Sequence, residues 1–149
     1  MESEFIKILL ADDDQDDCSF FKEALEELPI STKLATVHDG EQLMLYLTQT
    51  TSNLPDVLFL DLNMPRKNGF ECLAQIKRNK IFAQLPVIIF STTDDQQTIK
   101  LLYYNGEQFY IHKPSSFSAL KRIIQRALMR VGKKNFLPAA MENFVINSN

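Results

Sequence analysis

An apolar run that ends abruptly in a carboxylate limits what this chain can fold into more than any other feature. Val57-Leu58-Phe59-Leu60 leads directly into Asp61, and Leu62-Asn63-Met64-Pro65 follows. Four apolar residues in a row, with no polar alternation, describe a strand buried on both faces, as strands of parallel sheets are. Such a strand delivers its terminal Asp to the mouth of an α/β sheet, where open α/β sheets bind their ligands. Taken alone, Asp61 could equally cap the next helix, so the neighbouring segments have to decide.

They repeat one pattern. Phe5 to Ala11 reads as a first strand and runs into Asp12-Asp13-Asp14. From Asp16 to Leu28 the apolar residues Phe21, Ala24, Leu25 and Leu28 recur at helical spacing, with Asp16 and Asp17 in a first turn that favours carboxylates. Lys33 to Val37 is a second strand, His38-Asp39-Gly40 a turn, and Glu41 to Thr48 a helix with Leu43, Met44 and Leu47 inward. After the Asp61 strand comes the loop Pro65 to Gly69, then a helix from Phe70 to Asn79 with Leu73 and Ile76 inward. Pro86 to Phe90 is a fourth strand with Ser91-Thr92-Thr93 as its exit. Gln96 to Asn105 is a helix closed by Gly106. Phe109 to His112 is a fifth strand ending at Lys113-Pro114, and Phe117 to Val131 is the last helix. Five strand–helix repeats predict an α/β doubly wound five-stranded parallel sheet with right-handed crossovers. The tail from 132 to 149 is too short for a second domain.

Polar residues therefore stand at the ends of four strands: Asp12 and Asp13, Asp61, Ser91 and Lys113. In a sheet of order 2-1-3-4-5 the first and third strands are neighbours, so three carboxylates converge. They repel one another, and Mg²⁺ held by carboxylates and waters is the natural way to relieve this. A lysine opposite could pair with Asp61 or with a phosphoryl group placed on it, and the Ser91 hydroxyl could bond a phosphoryl oxygen. Each part alone has an ordinary reading: a solvated turn for the aspartates, a surface position for the lysine, a cap for the serine. Their joint placement at one sheet edge is what points to a site.

These residues carry a resemblance. Leu9-Leu10-Ala11-Asp12-Asp13-Asp14, then Leu60-Asp61-Leu62-Asn63-Met64-Pro65 with Gly69, then Ile88-Ile89-Phe90-Ser91-Thr92, then Tyr110-Ile111-His112-Lys113-Pro114 resemble the receiver domains of two-component response regulators. The match covers about residues 5 to 131, which leaves 132–149 as a C-terminal tail. The resemblance implies the flavodoxin-like (βα)5 receiver fold. It implies Asp61 as phosphoacceptor, and Mg²⁺ held by Asp12, Asp13, Asp61 and the backbone carbonyl of Asn63. It also implies Lys113 on the phosphoryl group, Ser91 as the switch hydroxyl, Tyr110 as the aromatic that rotates inward with it, and a Lys113-Pro114 peptide that is often cis. Glu107, Phe109 and Thr92 depart from the family's usual smaller residues, which bears on the aromatic switch and on access to the phosphoryl group.

Composition fits a stand-alone signalling module. Of 149 residues 45% are hydrophobic and 23% charged, as in a folded soluble domain, and the net charge of -3 argues against nucleic-acid binding. No apolar stretch approaches the ~20 residues of a membrane span, and the acidic Met1-Glu2-Ser3-Glu4 start is unlike a signal peptide, so a cytoplasmic location is expected. Cys18 and Cys72 lie at no metal-ligand spacing and read as free thiols. The expected partner is a sensor histidine kinase or a histidine phosphotransfer protein, with no DNA-binding output domain and no catalysis beyond the chain's own phosphotransfer and dephosphorylation. Three rivals remain at this stage. A haloacid-dehalogenase-type phosphatase would need a Thr after the first strand that Asp12-Asp13-Asp14-Gln15-Asp16 does not supply. A flavin module would need a phosphate loop where three aspartates stand. A receiver-like module working without phosphorylation would not need the complete set. In the fourth helix Ile99, Leu102 and Tyr103 take the inward positions, which leaves Leu101 and Tyr104 facing out as a contact patch for a homodimer or a downstream protein.

Overall fold

Strand and helix alternate as the apolar pattern demands. The computed structural model of the chain describes residues 5–104, 109–131 and 145–146. The order is β1 (Ile6–Ala11), α1 (Gln15–Glu26), β2 (Thr32–Val37), α2 (Gly40–Gln49), β3 (Val57–Leu60), α3 (Gly69–Arg78), β4 (Val87–Ser91), α4 (Gln96–Tyr104), β5 (Phe109–His112), α5 (Phe117–Val131) and β6 (Val145–Ile146). Helix starts are set by side chains. Asp14, Asp39 and Asn68 each accept a backbone N–H of the following turn, and Asn68 forms a reciprocal capping box with Glu71. Gly106, Glu107, Gly132, Phe136 and Leu137 lie outside the described residues.

All strands pair in parallel in the order β2-β1-β3-β4-β5-β6. The expected order 2-1-3-4-5 is present, but the sheet has six strands and not five. Val145 pairs with Tyr110 and Ile146 with Ile111, and Ile146 is 1% exposed. Two residues in a tail of mixed character carry no periodic signal, which is why no strand is read there from the sequence.

The strands divide their side chains between two cores by simple alternation. Leu9, Ala11, Leu58, Leu60 and Ile89 face α2, α3 and α4 through Leu43, Leu47, Cys72, Ile76 and Leu102. Ile8, Leu10, Val57, Phe59 and Ile88 face α1 and α5 through Phe21, Leu25, Leu120 and Ile124. Phe21, Phe59 and Phe90 meet edge to face, with centroids 5.0, 5.6 and 6.2 Å apart. Cys18 and Cys72 are buried free thiols, as read from their spacing.

The loop after β3 has almost no clearance. A Cβ on Gly69 would lie 2.4 Å from the Asp61 carbonyl oxygen, and one on Gly40 would lie 1.9 Å from the Lys67 carbonyl oxygen. Both contacts are to backbone, which cannot step aside cheaply. Arg66, between them in this loop, adopts φ 67 and lays its Nε 3.6 Å from Asp39 Oδ2. Gly69→Ala should therefore destabilise the fold by about 1–3 kcal/mol in urea unfolding. A variant as stable as the wild type would show that the loop can move away.

Candidate functional site

The site is assembled by strand register. Ala11 is paired with Leu60, and the Asp61 amide donates to the Ala11 carbonyl at 2.9 Å, so Asp12 and Asp61 leave the sheet side by side. Leu60 is paired with Ile89 and Ser91 with His112, which brings Ser91 and Lys113 to the same edge. The Lys113 amide donates to the Ser91 carbonyl at 2.8 Å. Every strand-end residue singled out from the sequence thus reaches one end of one sheet.

Asp12, Asp13 and Asp61 each offer a carboxylate oxygen within 4.8 Å of the others. Asp12 and Asp61 are buried and Asp13 is exposed. An all-oxygen donor set of this size, open on the Asp13 side, suits a small hard divalent cation. Asn63 is exposed, and its amide lies 3.3 Å from Asp61 Oδ1.

Lys113 sits against this group. Its Nζ is 2.7 Å from Asp12 Oδ2, 2.9 Å from Asp17 Oδ2 and 3.4 Å from Asp61 Oδ2. The expected pairing with Asp61 is present but is the longest of the three. Asp17 had been read only as a favourable charge in the first turn of α1. No spacing rule marks it, because its approach depends on how the Asp14 cap turns α1 back over the sheet edge. The backbone carbonyl of Asp12 is held from behind as well, by His38 Nδ1 at 3.1 Å and Cys18 Sγ at 3.5 Å.

Burial raises the Asp12 and Asp61 carboxyls, and Lys113 only partly opposes it; Asp61 is pushed up to about 6. Burial by itself would lower the Lys113 ammonium, but the hydrogen bonds and charges of Asp12, Asp17 and Asp61 outweigh it and hold it above its ordinary value. The cluster is left with excess negative charge.

One expectation is corrected: no peptide bond of the described residues is cis, so Lys113-Pro114 is trans. Tyr110 is fully buried, and its hydroxyl donates to the Thr93 carbonyl oxygen. The Thr93 amide in turn donates to Ser91 Oγ at 3.2 Å, which links the buried serine to the aromatic through the loop after β4. Leu101 and Tyr104 are exposed as expected, at 56% and 77%. The β5 edge beside them is covered by β6, and Leu101 instead borders a groove of about 430 Å³ with Phe70, Leu73, Lys77 and Arg78.

Folded Asp61 keeps its proton to higher pH than the ordinary 3.8 of an unfolded chain. Its contribution to stability is therefore complete below about pH 4 and is lost as pH rises through about 6. In the presence of a chelator, Asp61→Asn should be about 1–3 kcal/mol more stable than wild type at pH 7.5 and no more stable at pH 4, by urea unfolding. Equal stability at pH 7.5 would mean that Lys113 fully offsets the burial.

The chain is similar to known proteins. The family model of the response regulator receiver domain matches residues 8–125. The probable methanogenesis regulatory protein FilR2 of Methanothrix harundinacea is 32% identical over 127 residues, 83% of this chain and 81% of its own length. Response regulator Rcp1 of Synechocystis sp. is 30% identical over 122 residues, 79% of this chain and 83% of its own. The crystal structure of the phosphorylated cyanobacterial phytochrome response regulator RcpA superposes with a TM-score of 0.78 at 32% identity, covering 91% of this chain and 100% of RcpA. The Mn²⁺-bound form of Rcp1 gives 0.76 at 29%, covering 90% and 99%. Among the described residues no helix is long and apolar enough to cross a membrane.

Proposed function

The chain belongs to the response regulator receiver family, and on that premise we propose that it is a phosphorylation-dependent signalling receiver with Asp61 as its phosphoacceptor. The observation that carries the reading is the convergence of buried Asp61 with Asp12 and Asp13 under the ammonium of Lys113. That a relative was solved phosphorylated, and another with Mn²⁺ bound, supports it. The receiver unit is assigned to residues 5–131 and the C-terminal extension to 132–149. A cytoplasmic location follows from this role.

The chemistry is nucleophilic transfer. A carboxylate oxygen of Asp61 forms the new bond to phosphorus while the bond to the donor breaks. With a phosphohistidine of a sensor kinase or phosphotransfer protein as donor, the P–N bond opens and the leaving imidazole takes up a proton. Mg²⁺ held by Asp12, Asp13, Asp61 and the Asn63 backbone carbonyl would supply positive charge to the transferring oxygens. Lys113 adds a hydrogen bond to the phosphoryl group and fixes it against the fifth strand. The chain catalyses only its own phosphotransfer and dephosphorylation.

Switching then runs through Ser91. If the Ser91 hydroxyl turns toward a phosphoryl oxygen, Oγ leaves the Thr93 amide, and the Thr93 carbonyl that holds Tyr110 is released with it. The loop after β4 and the start of α4 are what this moves. The output surface is the exposed face of α4 with Leu101 and Tyr104, serving a homodimer or a downstream protein.

Incubation with acetyl phosphate and Mg²⁺ should add one phosphate to the wild type and none to Asp61→Asn, by intact mass. Lys113→Ala should still be phosphorylated but should switch poorly. A full phosphate on the Asn variant would mean a different acceptor. Beryllofluoride should shift any assembly seen by size-exclusion chromatography, with about a 5- to 150-fold gain in affinity. Leu101→Glu with Tyr104→Ala should abolish that gain and leave Asp61 phosphorylation intact; wild-type assembly by the double variant would move the output surface elsewhere.

A further inference from the structure

The three carboxylates around Lys113 are not equivalent. Asp12 and Asp61 belong to the group whose oxygens gather within 4.8 Å, and Asp17 does not. Asp17 comes from the first turn of α1, where its amide donates to Asp14 Oδ1, and its carboxylate is 2.9 Å from Lys113 Nζ. A divalent cation and an ammonium compete for the same oxygens of Asp12 and Asp61 and also repel each other. Displaced from both, an ammonium whose side chain is only 10% exposed would be a desolvated charge with no partner. The Asp17 side chain is 40% exposed and stays within reach while the other two are engaged.

We infer that Asp17 is a positioning residue that takes over Lys113 when a metal ion claims Asp12 and Asp61. It keeps the ammonium beside the phosphoacceptor and lets the cation bind without stranding a buried charge. Asp17 is not itself a metal ligand. The inference rests on reading Asp12, Asp13 and Asp61 as the metal ligands.

A double-mutant cycle tests it, with Mg²⁺ affinity read by calorimetry for wild type, Asp17→Asn, Lys113→Ala and the double variant. Asp17→Asn preserves the shape of the side chain and removes only its charge. With Lys113 present it should weaken Mg²⁺ binding about 3- to 10-fold, and with Lys113 absent less than about twofold. Plain through-space attraction between Asp17 and the cation is additive and gives the same loss in both backgrounds. A loss in the Lys113→Ala background equal to or larger than that with Lys113 present, or none in either, overturns the inference.

Lys113→Ala leaves its carboxylates without a counter-ion, so a second readout needs only the single variant. At saturating Mg²⁺ the ammonium NMR signal of Lys113 should remain protected in wild type and pass into fast solvent exchange in Asp17→Asn. Equal protection in both proteins overturns the inference. Mg²⁺ binding that is lost in Asp13→Asn but shows no Lys113-dependent effect of Asp17 upholds the metal site and rejects only the role of Asp17. No Mg²⁺ binding to wild type rejects both.

Discussion

Two carboxylates placed side by side on adjacent parallel strands repel each other and give up most of their hydration. The sheet register makes this unavoidable here, because the last pair of β1 and β3 leads straight into Asp12 and Asp61. At 4 Å a unit charge pair is worth about 4 kcal/mol near a protein surface, so the single ammonium of Lys113 offsets much of the repulsion but not the whole burial penalty. Both carboxyls accordingly stay raised. The cluster favours whatever brings positive charge to the sheet edge.

Most of the scaffold could be read from apolar spacing because each element obeys its own period. The helix Phe117–Val131 and the strands Val57–Leu60 and Phe109–His112 have the bounds that their patterns imply. These segments are buried along a continuous stripe or on both faces, so packing and local preference agree. The convergence of Asp12, Asp13 and Asp61 was legible for a related reason: a parallel sheet carries all its strand ends to one side. Asp17 was not legible, since its place depends on the angle at which α1 leaves its cap. Nor was β6, whose two residues take their conformation from the partner strand. The side on which Tyr110 rests was not legible either, because a rotamer choice between two packings leaves no trace in composition.

The sixth strand changes the meaning of the α4 side. An open β5 would present unpaired backbone groups beside Leu101 and Tyr104, whereas Val145 and Ile146 satisfy that edge and add Ile146 to the α1–α5 core. The paired part of the β5 edge is thereby closed to strand addition. The groove bordered by Phe70, Leu101, Lys77 and Arg78 combines apolar and cationic side chains.

The tight seat of the β3–α3 loop has a mechanical corollary. With Gly40 against Lys67 and Gly69 against Asp61, the α2–α3 flank meets the end of β3 backbone to backbone. Interiors packed this closely do not yield gradually. On the opposite flank, Ser91, Thr93 and Tyr110 are joined by hydrogen bonds that can exchange partners, and α4 borders open space. A disturbance at Asp61 therefore meets a wall on one side and a hinge on the other. The packing around Asp61 is thus rigid toward α2 and α3 and more open toward α4, an asymmetry set by where two side chains are missing.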